Sequence, residues 1–232
     1  MLDVAGIHTY YGLSHILFGI SLKVSEGEIV CLLGRNGAGK STTMRSIMGL
    51  TPPRAGTIRF KGEDITGKKA YILARRGIGY VPDDRRVFAD LTVDENLEIS
   101  ERKRDSTDVW DRESVYDIFP ALRHIKSRRG GFLSGGEQQM LTIARALMTN
   151  PDFMLLDEPT EGLAPIIVKA LEEQISKLKE AGLTVLLAEQ NVKVALRLSD
   201  RGYVIDNGAI RYHGTIEDLG KNEEIRKKYL LV

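Results

Sequence analysis

Apolar residues fall into short runs at the two ends of the chain and into helical spacing in its middle third. Over residues 2–33 they alternate or cluster, as in Ile16-Leu17-Phe18-Gly19-Ile20-Ser21-Leu22-Lys23-Val24, until Ser25-Glu26-Gly27 breaks the pattern. That predicts strands joined by a turn. The uninterrupted run Ile29 to Leu33 predicts the first buried strand, and Ser41 to Met48, with apolar residues at helical spacing, predicts a helix stopped by Pro52-Pro53. Between about residues 68 and 150 the spacing is mostly helical, with one helix opening at Val93-Asp94-Glu95-Asn96-Leu97 and another running from Glu137 to Met148. Buried runs then return as Phe153-Met154-Leu155-Leu156 and Thr184-Val185-Leu186-Leu187-Ala188, separated by a helix from Ile166 to Lys179. Continuous apolar runs linked through helices are the pattern of a parallel sheet with crossovers, so an α/β fold with a mostly parallel sheet is expected. The division reads as one domain over 1–232: a core lobe of about 1–82 and 151–232, and an inserted helical subdomain of about 83–150. No internal repeat, low-complexity tract or linker interrupts it.

Composition narrows the class. With 42% hydrophobic and 28% charged residues the 232-residue chain can bury a substantial core. Its formal net charge of +1 excludes a global field favouring nucleic acid or an anionic membrane. The one cysteine, Cys31, lies inside an apolar run and reads as a small buried hydrophobe, so no disulfide within the chain is expected. Neither an 18-residue apolar stretch nor a basic-then-apolar leader is present, which places the chain in the cytoplasm, with any membrane attachment supplied by partner proteins.

Two motifs carry chemistry. Gly34-Arg35-Asn36-Gly37-Ala38-Gly39-Lys40-Ser41 matches G-x-x-x-x-G-K-[ST] and stands between a predicted buried strand and a predicted helix. In such a loop the backbone N–H groups of Gly34, Asn36, Gly37, Ala38 and Gly39 converge on phosphate, Lys40 neutralises β- and γ-oxygens, and the Ser41 hydroxyl ligates Mg²⁺. Thr42 adds a contact to the α-phosphate. The second motif is the apolar strand that ends in Asp157-Glu158. Asp157 is the expected Mg²⁺ partner and Glu158 the expected base or orienter of the attacking water.

With Leu133-Ser134-Gly135-Gly136-Glu137-Gln138-Gln139, whose serine lies 23 residues before Asp157, the sequence resembles the ABC ATPases over essentially its whole length. The resemblance implies a P-loop NTPase core with an N-terminal antiparallel β subdomain. It also implies ATP and Mg²⁺ as ligands, and a dimer in which Ser134, Gly135, Gly136 and Glu137 meet the γ-phosphate of ATP bound by the opposite subunit. Tyr11 matches the aromatic that stacks on adenine, with Tyr10 adjacent as the alternative. Val81-Pro82-Asp83-Asp84-Arg85-Arg86, Gly162-Leu163-Ala164-Pro165 and Glu189-Gln190-Asn191 resemble the ATPases of branched-chain (hydrophobic) amino-acid uptake, whose relatives import urea or amides. That branch implies transmembrane permease subunits, a second ABC ATPase subunit in a homo- or heterodimer, an indirect substrate-binding protein, no nucleic acid, and a peripheral position at the cytoplasmic face of the inner membrane.

Three positions depart from most relatives. Asp83 stands where a Gln usually binds Mg²⁺ and senses the membrane subunits, and keeps a hard oxygen for the metal. Gln190 stands where most relatives hold a switch His; its amide can donate to a γ-phosphate but cannot pass a proton, which loads more of the chemistry onto Glu158. Ala164 replaces a common Asp. The four histidines, His8, His15, His124 and His213, lack metal-ligand spacing, and the basic stretch from Arg123 to Arg129 reads as a solvated connector. The competing reading is an ATP-gated clamp or regulatory module with slow or no hydrolysis; the long heptad insertion or second nucleotide domain of such relatives is missing.

Overall fold

The structure, a computed structural model, describes residues 1–102 and 110–230. Two sheets organise it. An antiparallel sheet of order β2-β1-β4-β5 is made by β1 (Leu2–Tyr11), β2 (Ser14–Val24), β4 (Ala55–Phe60) and β5 (Glu63–Asp64). The second holds β3 (Ile29–Leu33), β6 (Ile78–Val81), β7 (Phe153–Asp157), β8 (Thr184–Glu189), β9 (Arg201–Asp206) and β10 (Ala209–Thr215) in the order β10-β9-β3-β8-β7-β6. All its neighbours are parallel except the β9–β10 hairpin.

The uninterrupted apolar runs are explained by this second sheet being covered on both faces. Successive side chains alternate sides: Cys31, Leu33, Leu156, Val185 and Leu187 join one apolar cluster, while Val30, Leu32, Leu155, Leu186 and Ala188 join another. The second cluster is closed by β1, β2 and β4 together with α1 (Lys40–Ile47) and α2 (Ala70–Arg75). The first is closed by α7 (Pro165–Glu180) and α8 (Val192–Leu198), and by the middle helices α3 (Val93–Glu98), α4 (Arg112–Ile118), α5 (Pro120–His124) and α6 (Gly135–Leu147).

The helix starts follow from local chemistry. Thr92, Asp111 and Ser134 each accept a backbone N–H three residues on while the side chain at that position returns the bond, a reciprocal cap that fixes the first turns of α3, α4 and α6. Fully buried Asn96 closes the 88–92 loop onto α3, accepting from Phe88 N and donating to the carbonyls of Phe88, Leu91 and Thr92 at 2.9–3.2 Å. The apolar pattern did not single out β6: Ile78-Gly79-Tyr80-Val81 is short and lies inside the stretch expected to be mostly helical. Two of the histidines dispersed in sequence meet in the β1–β2 hairpin, with His8 Nδ1 3.1 Å from His15 Nε2.

Candidate active site

The phosphate loop leaves β3 at Leu33 and re-enters regular structure at Lys40, the first residue of α1. Gly37 and Gly39 lie at φ 78° and 111°, where a side chain would be strained. Gly34 is required for a different reason: a Cβ there would sit 2.5 Å from the Ile205 carbonyl oxygen of β9. Glycine therefore lets the loop lie against the sheet, and two of the N–H groups expected to face phosphate are bonded within the protein instead, Gly34 N to the Glu189 carbonyl at 3.2 Å and Ala38 N to the Arg35 carbonyl at 3.1 Å, because the tight turn packs its own backbone against the end of β8. Lys40 is buried, and its Nζ donates to Gly34 O at 2.7 Å and Arg35 O at 2.9 Å and pairs with Glu158 Oε1 at 2.9 Å.

The register of β7 brings the acids to the loop. Asp157 ends the strand beside Ala188 of β8, and the Ser41 hydroxyl donates to its Oδ1 at 3.0 Å. Tyr80 of β6 donates to Oδ2 at 3.2 Å. Burial pushes the Asp157 carboxyl up to about 6, against the lowering by the Ser41 bond, and the negative charge of nearby Asp83 adds to the rise. Glu158 follows in a left-handed conformation, φ 48°, that turns its side chain back onto Lys40. Burial raises its carboxyl and the ion pair with Lys40 opposes the rise. A serine hydroxyl and a buried carboxylate side by side, with Asp83 close enough to perturb the latter, form an all-oxygen donor set suited to a small divalent cation that retains water and phosphate ligands.

Gln190 is exposed at the end of β8. Its neighbour Glu189 points inward, accepting from the Thr160 hydroxyl at 2.8 Å and from Asn191 N at 3.2 Å. Asn36 reaches the same loop, 3.5 Å from Glu161 Oε1. The sequence alone does not mark Tyr80, Thr160 or Glu189 as site residues; Tyr80 is brought to Asp157 by the register of β6 on β7, in which it lies opposite Leu155.

Ser134 caps α6, and Gly135, Gly136 and Glu137 form its first turn. Ser134 N donates to Glu137 Oε2 at 2.7 Å, and a Cβ on Gly135 or Gly136 would lie 2.6 Å from Arg85 Nη1 or Ile167 Cγ2 respectively. Phe132 and Ile166 on its flanks are 76% and 78% exposed. Near the loop, Tyr11 is 43% exposed as a residue, with Thr51, Thr42 and Arg45 beside its hydroxyl. Tyr10 is stacked on His15, 4.1 Å between centroids, with the Arg54 guanidinium 4.5 Å from its ring. The two tyrosines therefore differ in what they leave free for a base, and Tyr11 is the open one. Cys31 is fully buried, as expected.

A glycine-rich loop between a buried strand and a helix, its lysine and serine set against two acids at the end of a neighbouring parallel strand, defines a P-loop nucleoside-triphosphatase. Comparison with known proteins narrows it. The ABC transporter family model matches residues 17–161. BraG of Pseudomonas aeruginosa, a high-affinity branched-chain amino acid transport ATP-binding protein, is 45% identical over 231 residues, 99% of either chain. LivF of Archaeoglobus fulgidus, a probable branched-chain amino acid transport ATP-binding protein, is 38% identical over 98% of this chain and 97% of its own. Among solved structures, the ADP conformation of the ATP-binding cassette MJ1267 superposes with a TM-score of 0.82 at 29% identity, covering 98% of this chain and 97% of that one. The chain belongs to the ABC transporter family, and is an ATP-binding, ATP-hydrolysing subunit of the kind that dimerises and works with transmembrane permeases.

Proposed function

We propose that this subunit energises an importer of branched-chain or other hydrophobic amino acids from the cytoplasmic face of the membrane. The observation that carries the solute class is the end-to-end 45% identity with BraG. An export reading has a specific relative in its favour, the lipopolysaccharide export ATP-binding protein LptB of Escherichia coli, at 39% identity over 91% of this chain, lower in both measures.

In the proposed cycle Lys40 exchanges Glu158 for β- and γ-phosphate oxygens, and the loop N–H groups and Thr42 hold the rest of the triphosphate. Ser41 and Asp157 would hold Mg²⁺, with Asp83 as a further oxygen donor, and such a cation would supply neutralisation of charge developing on the phosphates. Released from Lys40, Glu158 orients and deprotonates the attacking water, and the Gln190 amide donates to the γ-phosphate. Tyr11 offers its open face to adenine. Ser134, Gly135, Gly136 and Glu137 complete the site of the opposite subunit, and the exposed Phe132 and Ile166 beside them support a surface that is covered in the dimer.

For the permease we propose the groove of about 520 Å³ bordered by Arg45, Tyr80, Pro82, Arg86, Arg145 and Thr149. It adjoins Asp83, and Tyr80 links it to Asp157. No helix among the described residues is long and apolar enough to cross a membrane, so attachment through such a groove fits the part. The helical segment of about 83–150 would carry the motion between groove and signature. The test is reconstitution of the chain with its neighbouring membrane subunits and binding protein in vesicles. ATP-dependent uptake of radiolabelled leucine, abolished by Glu158→Gln, is expected; ATP turnover without uptake of any branched-chain or hydrophobic amino acid would refute the solute assignment.

A further inference from the structure

We propose that Glu189 is a positioning residue for hydrolysis, joining in one side chain and one peptide the loop after Glu158, the turn that presents Gln190, and the start of the phosphate loop. It is 2% exposed, lies at the last position of β8, and has no role in the cycle set out above. Three bonds define the junction. Its Oε1 accepts from the Thr160 hydroxyl at 2.8 Å, its Oε2 from Asn191 N at 3.2 Å, and its carbonyl from Gly34 N at 3.2 Å. Its strand neighbour Ala188 accepts from Glu158 N at 3.0 Å. The four segments that must surround a γ-phosphate are thus referred to two consecutive residues.

The chemistry favours positioning over contact. The carboxyl faces inward, among Thr160, the Asn191 amide and Glu158, with the buried Cys31 thiol within electrostatic reach. Burial pushes it up to about 7, with the Thr160 and Asn191 bonds opposing the rise and the Glu158 charge adding to it. A buried polar group held by good bonds fixes the elements it joins, because each alternative leaves a donor or acceptor unsatisfied. Here the joined elements are the exposed Gln190 turn and the 158–164 loop. Hydrolysis is sensitive to such separations, since small misplacements of a water-orienting group cost large factors in rate.

The inference rests on the reading of Glu158 as the residue that acts on the attacking water. The test measures steady-state ATP hydrolysis by the full chain, with its transporter partners where turnover requires them, for Glu189→Leu, Glu189→Gln and Thr160→Val. Leucine fills the space without bonding. Glutamine keeps both bonds, its oxygen accepting from Asn191 N and its amide donating to the Thr160 oxygen. Expected are a kcat about tenfold lower for Glu189→Leu with KM for ATP within about twofold, and recovery to within about threefold of wild type for Glu189→Gln. Thr160→Val, which removes only a hydroxyl, should lower kcat without moving KM and serves as the readout if Glu189→Leu does not fold. A wild-type kcat in Glu189→Leu or Thr160→Val, or a Glu189→Gln as impaired as Glu189→Leu, overturns the proposal. Glu158→Gln separates the two ideas: turnover that ignores Glu158 overturns the site reading and this inference together, whereas Glu158-dependent turnover that ignores Glu189 and Thr160 overturns this inference alone.

Discussion

The Lys40 ammonium has three acceptors, the carbonyls of Gly34 and Arg35 and the Glu158 carboxylate at 2.9 Å, so in the proposed cycle ATP competes with Glu158 for it. At 2.9 Å and an effective dielectric near 20, the gross attraction of the pair is about 6 kcal/mol. Most of it is regained when Lys40 meets phosphate. What remains is the cost of leaving a second carboxylate beside Asp157 and next to an incoming polyanion, on the order of 1–2 kcal/mol after solvent relaxation. Glu158→Gln removes that charge while keeping shape and one acceptor oxygen. ATP should therefore bind roughly five- to thirtyfold more tightly to the variant, while hydrolysis falls by about a hundredfold or more. Calorimetric titration with ATP in the absence of Mg²⁺ keeps both proteins from turning over. ADP, which brings no γ-phosphate to Lys40, should gain less than ATP. Equal or weaker ATP affinity in a folded Glu158→Gln protein, or an equal gain for ADP, would refute the competition.

Other consequences follow from the same geometry. Burial holds the folded-state carboxyl of Asp157 near 6, above the 3.8 of a free aspartate, so the stability it contributes is full below about 3.8 and is lost as pH rises through 6. The metal- and nucleotide-free protein should lose roughly 1 kcal/mol from this group between pH 5 and 7, seen as a melting-temperature fall that Asp157→Asn reduces and that vanishes if Asp157 is already ionised at pH 5. Gly34→Ala forces a Cβ to 2.5 Å from the Ile205 carbonyl and should cost about 2 kcal/mol or more in thermal unfolding; a wild-type melting curve would contradict the packing. Tyr11→Ala should raise KM for ATP several-fold, by about the 1 kcal/mol of one ring stack, while Tyr10→Ala leaves it within about twofold; the reverse order would move the adenine to the other tyrosine.

How much of this could be read beforehand depended on whether a residue's role is local. The strand at Ile29–Leu33 and the loop after it were readable because a continuous apolar run, two glycines at positive φ and a helix start are consecutive in sequence. The same holds for α3 and α6, whose reciprocal caps lie within four residues. By contrast β6 carries only four residues, one of them glycine, and is a strand because β7 offers it a ladder 75 positions away, Ile78 against Phe153. Tyr80 became a neighbour of Asp157 through that ladder alone, and no pattern in Ile78-Gly79-Tyr80-Val81 encodes it.

Glu189 makes the distinction sharper. In sequence it is only part of Glu189-Gln190-Asn191, a marker of resemblance, in which Gln190 is the distinctive residue because that position usually holds a histidine. In the fold Gln190 is the exposed member, while Glu189 holds the buried bonds to Thr160 and Asn191. In the proposed cycle, a turn that meets the γ-phosphate without an imidazole still needs a fixed distance from Glu158. Backbone bonds place the end of β8 against Glu158 and Gly34, and the Glu189 side chain reaches across to Thr160 in the loop after β7. An inward acid immediately before the switch position supplies that reach, which is why the substitution at 190 is best understood together with the residue that precedes it.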